Sequence, residues 1–326
     1  VVVLAALSQP GRKAVENARR AAGVFFVLLA AGCASLAPQT AKLHDTLAPA
    51  LHERVELTQV PFFPQSEYQC GPAALATVLA AAGVKVTPED LVPEVYLPER
   101  KGSLQIEMLA AARRHGMVSY QLAPRFADLL REVAAGNPVI VLQNLGFSDG
   151  WHYAVAVGYD YDWGKLYLRS GETERRVMSF FVHEFTWMRG GYWAMVALPP
   201  DRIPASADEE RWLSAVAAVE RIDPRTARVA YTTFLRRWPE NVNAAVGLAN
   251  TYHAVGELKQ AEAVLRDAAR RHPDSVIVLN NLAQTLSDQG RDAEALPVID
   301  RAVALGGPFA ASVEDTRRSI QKKLKQ

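Results

Sequence analysis

Cys70, Gln65 and His152 are residues whose types and spacing fit one chemistry, attack of a thiolate on a carbonyl. Cys70 opens the run CGPAALATVLAAAG, which reads as a helix. At a helix start the thiol meets unpaired backbone N–H groups and the positive end of the helix dipole, and both favour thiolate. A free cysteine titrates near ~8.5, so this position predicts a thiol that is reactive at neutral pH. Gly71 lets a substrate backbone come close, and Pro72 suits a first turn because it has no N–H to leave unpaired. Gln65 lies five residues upstream and can aim its amide N–H where the Cys70 N–H points. Two converging donors make an oxyanion hole. The plainer alternative is that Cys70 is a small buried hydrophobe.

A nucleophilic thiol needs a base, and the chain has seven histidines. His44 and His52 precede the helix region, His253 and His272 fall in a later repeat region, and His115 sits beside a helix-ending glycine, facing solvent. His183 lies in the aromatic segment FFVHEFTW, where a structural role fits better. His152 opens the strand-like run HYAVAVGY directly after the turn FSDGW. A sheet can hold a ring at that strand end against a facing helix terminus.

The elements that must position these residues are helices first and strands second. A β-like stretch RVELTQVPFF is interrupted by Pro61. Helices follow from Cys70 to Gly83, over SLQIEMLAAARRHG with Ser103 as N-cap and Gly116 as terminator, and over RFADLLREVAAG to Gly136. Residues 138–146, 151–160, 165–171 and 192–200 are short runs rich in β-branched and aromatic residues, and YDWG fits a hairpin turn. This order indicates an α+β domain over residues 55–200.

At 326 residues, two domains are the expectation. Residues 201–207 read as a linker, and 208–326 hold a repeat. Pro239 and Pro273 are 34 residues apart, as are Gly256 and Gly290, Leu248 and Leu282, Ala261 and Ala295, and Ala268 and Ala302. That period is the one of tetratricopeptide repeats. Units at 242–275 and 276–309, a degenerate copy at 208–241 and a capping helix VEDTRRSIQKKLKQ make a short all-α solenoid. Such solenoids bind protein partners on their concave face; the alternative is that the repeats only brace the first domain.

The formal net charge of +1 argues against a nucleic-acid partner. With no GxxxxGK[ST] loop, ATP chemistry has no support, and with no HExxH, CxxC or zinc-finger spacing no metal or other cofactor is implied. Near the N-terminus, Arg12, Lys13, Arg19 and Arg20 precede the apolar run AAGVFFVLLAAG, which ends at Cys33. This resembles the lipobox of bacterial lipoproteins, with residues 1–33 as signal peptide, Cys33 as the lipidated residue and 34–54 as a mobile tether. A plain secretory signal with an incidental Cys33 is the alternative. By the same resemblance, Ala34 in place of Asp suggests an outer-membrane anchor facing the periplasm. Lipid on Cys33 leaves Cys70 without a disulfide partner.

Q-x4-C-G-P before an Ala/Leu helix, with H-Y-x-V-x-V-G-Y about 80 residues later, resembles the papain-like double-glycine peptidases that process bacteriocin leaders. The resemblance covers about residues 58–198. It implies a papain-like α+β fold, with Cys70 as nucleophile, His152 as base and acid, and Gln65 in the oxyanion hole. The family has Asp-Pro after the next strand, the Asp orienting the imidazole. Here LYLRSG puts Arg169 and Ser170 there, so Ser170 is the residue that can accept from the ring, with Asp160 or Asp162 as substitutes. The expected function is a lipid-anchored cysteine peptidase acting on a peptide or protein. An inactive peptide-binding scaffold and acyl transfer to an amine are the alternatives.

Overall fold

The computed structural model describes residues 36–46, 53–65, 69–146 and 150–326. The signal segment, Cys33 and His52 lie outside the described residues.

Helix α1 spans Pro38–Thr46 and strand β1 Arg54–Glu56. The Ala- and Leu-rich run forms α2, Cys70–Ala81, whose residues from Gly71 to Leu79 are all buried. Helix α3, Pro88–Val95, is started by Thr87 and Asp90, each side chain bonding the other's backbone N–H. Then come the two-stranded hairpin β2, Tyr96–Leu97, and β3, Gly102–Ser103, followed by α4, Gln105–Arg114. Ser103 does not cap this helix as expected. Leu104 precedes the helix without a side-chain cap, and Ser103 belongs to β3. A Cβ on Gly71 would lie 2.2 Å from the Ser103 Oγ. The space at Gly71 is therefore filled by β3, not kept for a substrate backbone.

Strand β4, Val118–Gln121, and helix α5, Phe126–Ala134, lead into the strands β5, Val139–Asn144, β6, Trp151–Asp160, β7, Lys165–Ser170, and β8, Thr173–Ser179. Helix α6, Phe180–Arg189, and strand β9, Ala194–Leu198, complete the domain. The antiparallel sheet runs β4-β9-β5-β6-β7-β8, with β1 added along the far end of β6. Side chains alternate across it. Leu142, Tyr153, Val155 and Val157 pack toward α2, while Val141, Ala154, Ala156 and Leu168 pack toward α5 and α6. Gly158 lets β1 approach, since a Cβ there would lie 2.6 Å from the Val55 carbonyl oxygen.

Two segments read as free connections are bound to the domain. Residues 38–46 are helical, and the amides of Gln39 and Thr40 donate to the buried carboxylate of Glu184 at 2.8 and 2.5 Å. The Gln39 side chain also accepts from the Phe126 amide at 2.6 Å. This part of the presumed tether is thus pinned between α5 and α6. In the presumed linker, the amide and hydroxyl of Ser206 both donate to the buried Glu132 carboxylate at 2.6 Å.

The C-terminal helices are α7, Glu209–Glu220, α8, Pro224–Arg237, α9, Val242–Ala254, α10, Leu258–Arg271, α11, Val276–Asp288, α12, Asp292–Leu305, and α13, Ala310–Lys323. Ala261, Ala268, Ala295 and Ala302 are buried where paired helices cross, which explains the small residues of the period. Glu262 joins successive repeats through Arg291 at 2.5 Å, and Arg266 one turn along its own helix also bonds it, at 2.7 Å. The first repeat is fused to the sheet domain. Trp212 is fully buried, edge-on to Tyr120 of β4 at 5.8 Å, in one apolar cluster that runs from the sheet to Leu248.

Candidate active site

The N-terminus of α2, the start of β6 and the end of β7 meet at one rim of the sheet. Cys70 begins α2 with no side-chain cap on the helix. The backbone N–H groups of Tyr153, Gly71 and Cys70 itself favour its thiolate. Loss of solvent around the partly buried thiol outweighs them and pushes its pKa up. This overturns the expectation of a thiol made acidic by the helix start. The donors are in place, but they sit in a pocket that disfavours the charge they would stabilise.

His152 lies opposite Gln143 on β5, and its Nε2 is 2.9 Å from the Ser170 Oγ. Ser170 is buried at the end of β7. If Nε2 carries the proton and donates to Ser170, Nδ1 is the nitrogen that takes a proton, and the tautomer is set by that bond. Asp160 does not orient the ring. It lies ~26 Å along the strand from His152, and its carboxylate accepts from the Trp163 amide at 3.1 Å in the hairpin. Asp162 belongs to the same hairpin turn.

Gln65 is fixed by the turn after β7. Its amide N–H donates to the Gly171 carbonyl at 3.1 Å, and its side-chain Oε1 accepts from the Gly171 amide at 3.1 Å. That leaves Nε2 directed toward β6, where the Tyr153 carbonyl lies at 3.5 Å, a long contact. Tyr153 also walls the site, its hydroxyl donating to the Ser103 carbonyl at 3.2 Å. Trp151, beside His152, is 61% exposed and offers an apolar face at the rim.

The other described histidines stand apart. His183 is fully buried, stacked on Trp187, and burial drives its pKa down to about 3, so it is neutral. His115 does not face solvent freely, since it is paired with Glu94 at 2.8 Å. His253 and His272 pair with Asp288 and Glu240 in the repeats. Among the described residues, no group of His, Cys, Asp and Glu is arranged to hold a metal. Sequence reasoning missed Gly171 and gave Arg169 no role of its own. Gly171 carries only the signal of a turn glycine, and its bonds to Gln65 join residues 106 apart.

The Peptidase_C39 like family matches residues 57–175, and two tetratricopeptide-repeat families match residues 218–278 and 277–306. The chain therefore joins a C39-like peptidase domain to tetratricopeptide repeats. Similar solved structures include a C39-like peptidase from Bacillus anthracis, 18% identical, covering 45% of this chain and 98% of that one, with a TM-score of 0.39. A double glycine motif protease from an AMS/PCAT transporter is 20% identical over 42% of this chain and 90% of its own, with a TM-score of 0.33. The TPR2B domain of yeast Sti1 is 18% identical over 35% of this chain and 98% of its own, with a TM-score of 0.33. Among curated proteins, none matches this chain.

Proposed function

We propose that the protein is a cysteine peptidase, anchored by lipid on Cys33 and facing the periplasm, whose repeats hold the substrate or a partner protein. The observation that carries the reading is the 2.9 Å pairing of His152 with Ser170 at the rim where α2 begins. A peptide carbonyl enters beside Cys70. The Cys70 proton passes to His152 Nδ1 as the sulfur attacks, because burial disfavours a resting thiolate. The oxyanion takes hydrogen bonds from Gln65 Nε2 and the Cys70 amide. His152 then protonates the departing amine, and water, deprotonated by His152, hydrolyses the thioester.

Two features favour a second reading, an inactive peptide-binding domain: the raised thiol and a neutral Ser170 where the family has a carboxylate. Incubation of the full chain in detergent with a mixed peptide library, read by mass spectrometry, separates the two. We expect cleavage that disappears in Cys70→Ala and in His152→Ala. Peptides bound but uncut by the native chain would establish the scaffold instead. Mass spectrometry of the mature N-terminus tests the anchor, with a diacylglyceryl group on Cys33 expected and an unmodified cysteine counting against it.

A further inference from the structure

Arg169 is buried, 6% exposed, and pairs with no carboxylate among the described residues. One arm of its guanidinium donates to the Glu174 carbonyl on β8 at 2.7 Å, the other to the Val60 carbonyl at 3.0 Å. Burying a cation against neutral carbonyls is costly, so the position is poorly suited to mere packing. What it achieves is geometric. The planar fork ties the β7–β8 hairpin to the root of the segment that ends in Gln65. The ladder between β7 and β8 is irregular between Leu168 and Ser170, the kind of bulge that re-aims side chains. The next residue, Ser170, bonds His152, and Gly171 bonds Gln65 twice. Gly171 does so at φ +60°, a conformation that other residues rarely adopt.

We propose that Arg169, Ser170 and Gly171 form one positioning element that sets the base and the oxyanion donor together, with Arg169 as the positioning residue that holds it against the Val60 segment. This rests on the peptidase reading for the roles of His152 and Gln65, while the coupling itself is a matter of geometry. A shift of the tripeptide would move both groups at once. Placement errors of about 1 Å cost on the order of 10²-fold in rate, so the two errors would arise from one displacement.

The test is nuclear magnetic resonance on the full chain, following the His152 ring nitrogens and the Gln65 side-chain amide, with Tm measured alongside. In Arg169→Met we expect both sets of signals to shift, and in Arg169→Lys, which keeps a donor for one carbonyl, a partial return. Loss of Tm with both sets unmoved would mean that Arg169 is only structural, and movement of one set alone would disprove the coupling. Should Arg169→Met not fold, reciprocal variants decide. Ser170→Ala should shift the Gln65 amide, and Gln65→Ala should shift the His152 ring. Silence in both would overturn the proposal. These signals need no substrate, so an absence of peptide cleavage would count against the peptidase reading and leave this test intact.

Discussion

The Cys70 thiol has a raised pKa because burial outweighs the nearby backbone N–H groups of Tyr153, Gly71 and Cys70 that favour the thiolate. A raised value means the protonated thiol dominates at neutral pH, and thiolate accumulates only on the alkaline side of the ordinary ~8.5. Iodoacetamide alkylation of the resting protein should therefore accelerate with pH through and beyond the ordinary thiol value of about 8.5. A rate already at its plateau below pH 7 would show a preformed ion pair instead. Ser170 sets the second expectation. An imidazolium beside a neutral hydroxyl gains less than one beside a carboxylate, and a carboxylate neighbour raises a histidine pKa by about 1 unit or more. Ser170→Asp should raise the His152 midpoint by about that amount in a titration followed by resonance. An unmoved midpoint would place the new carboxylate out of reach of the ring.

At the scale of elements, α1 owes its place to a residue 145 positions away. The Glu184 carboxylate accepts from the N–H groups at the start of α1, where the helix dipole favours an acceptor. Glu184→Ala should cost about 1–2 kcal/mol of local stability, in line with the loss of a helix cap. Hydrogen exchange at Gln39 and Thr40 should then quicken about tenfold or more; unchanged exchange would show that α1 is held by its apolar contacts alone. This dependence explains what could be read from the sequence. The helix at Cys70 was legible because its Ala/Leu run and Gly83 are local signals, and the repeats because a 34-residue period is visible without a structure. Cys70, His152 and Gln65 could be singled out by type and spacing, and Ser170 only through the family resemblance. The docking of residues 38–46, the anchoring of Ser206 and the clamp on Gln65 were not legible, since each depends on partners far along the chain. The thiol was misjudged for a related reason. The helix start is a local fact, whereas burial is a property of everything packed around it.

At the scale of the whole molecule, the peptidase domain and the first repeat share one core. Trp212 sits in it, touching Tyr120, while Glu132 holds Ser206 just ahead of α7. Truncating a buried tryptophan costs about 3–5 kcal/mol. Trp212→Ala should thus lower the melting of both halves together, as seen by tryptophan fluorescence and far-ultraviolet dichroism in one shared transition. A variant in which only the helical signal melts early would show two independent units. The fused core has a further consequence for any chain captured by the repeats. A hinge between modules would let the rim that carries Cys70 search over many spacings, but here the distance from the solenoid to Cys70 is built in. If the repeats capture a chain and Cys70 cuts it, as proposed above, the molecule works as a ruler. Its choice of bond would depend on how many residues separate the captured segment from the one to be cut, and only weakly on the side chains that flank the cut.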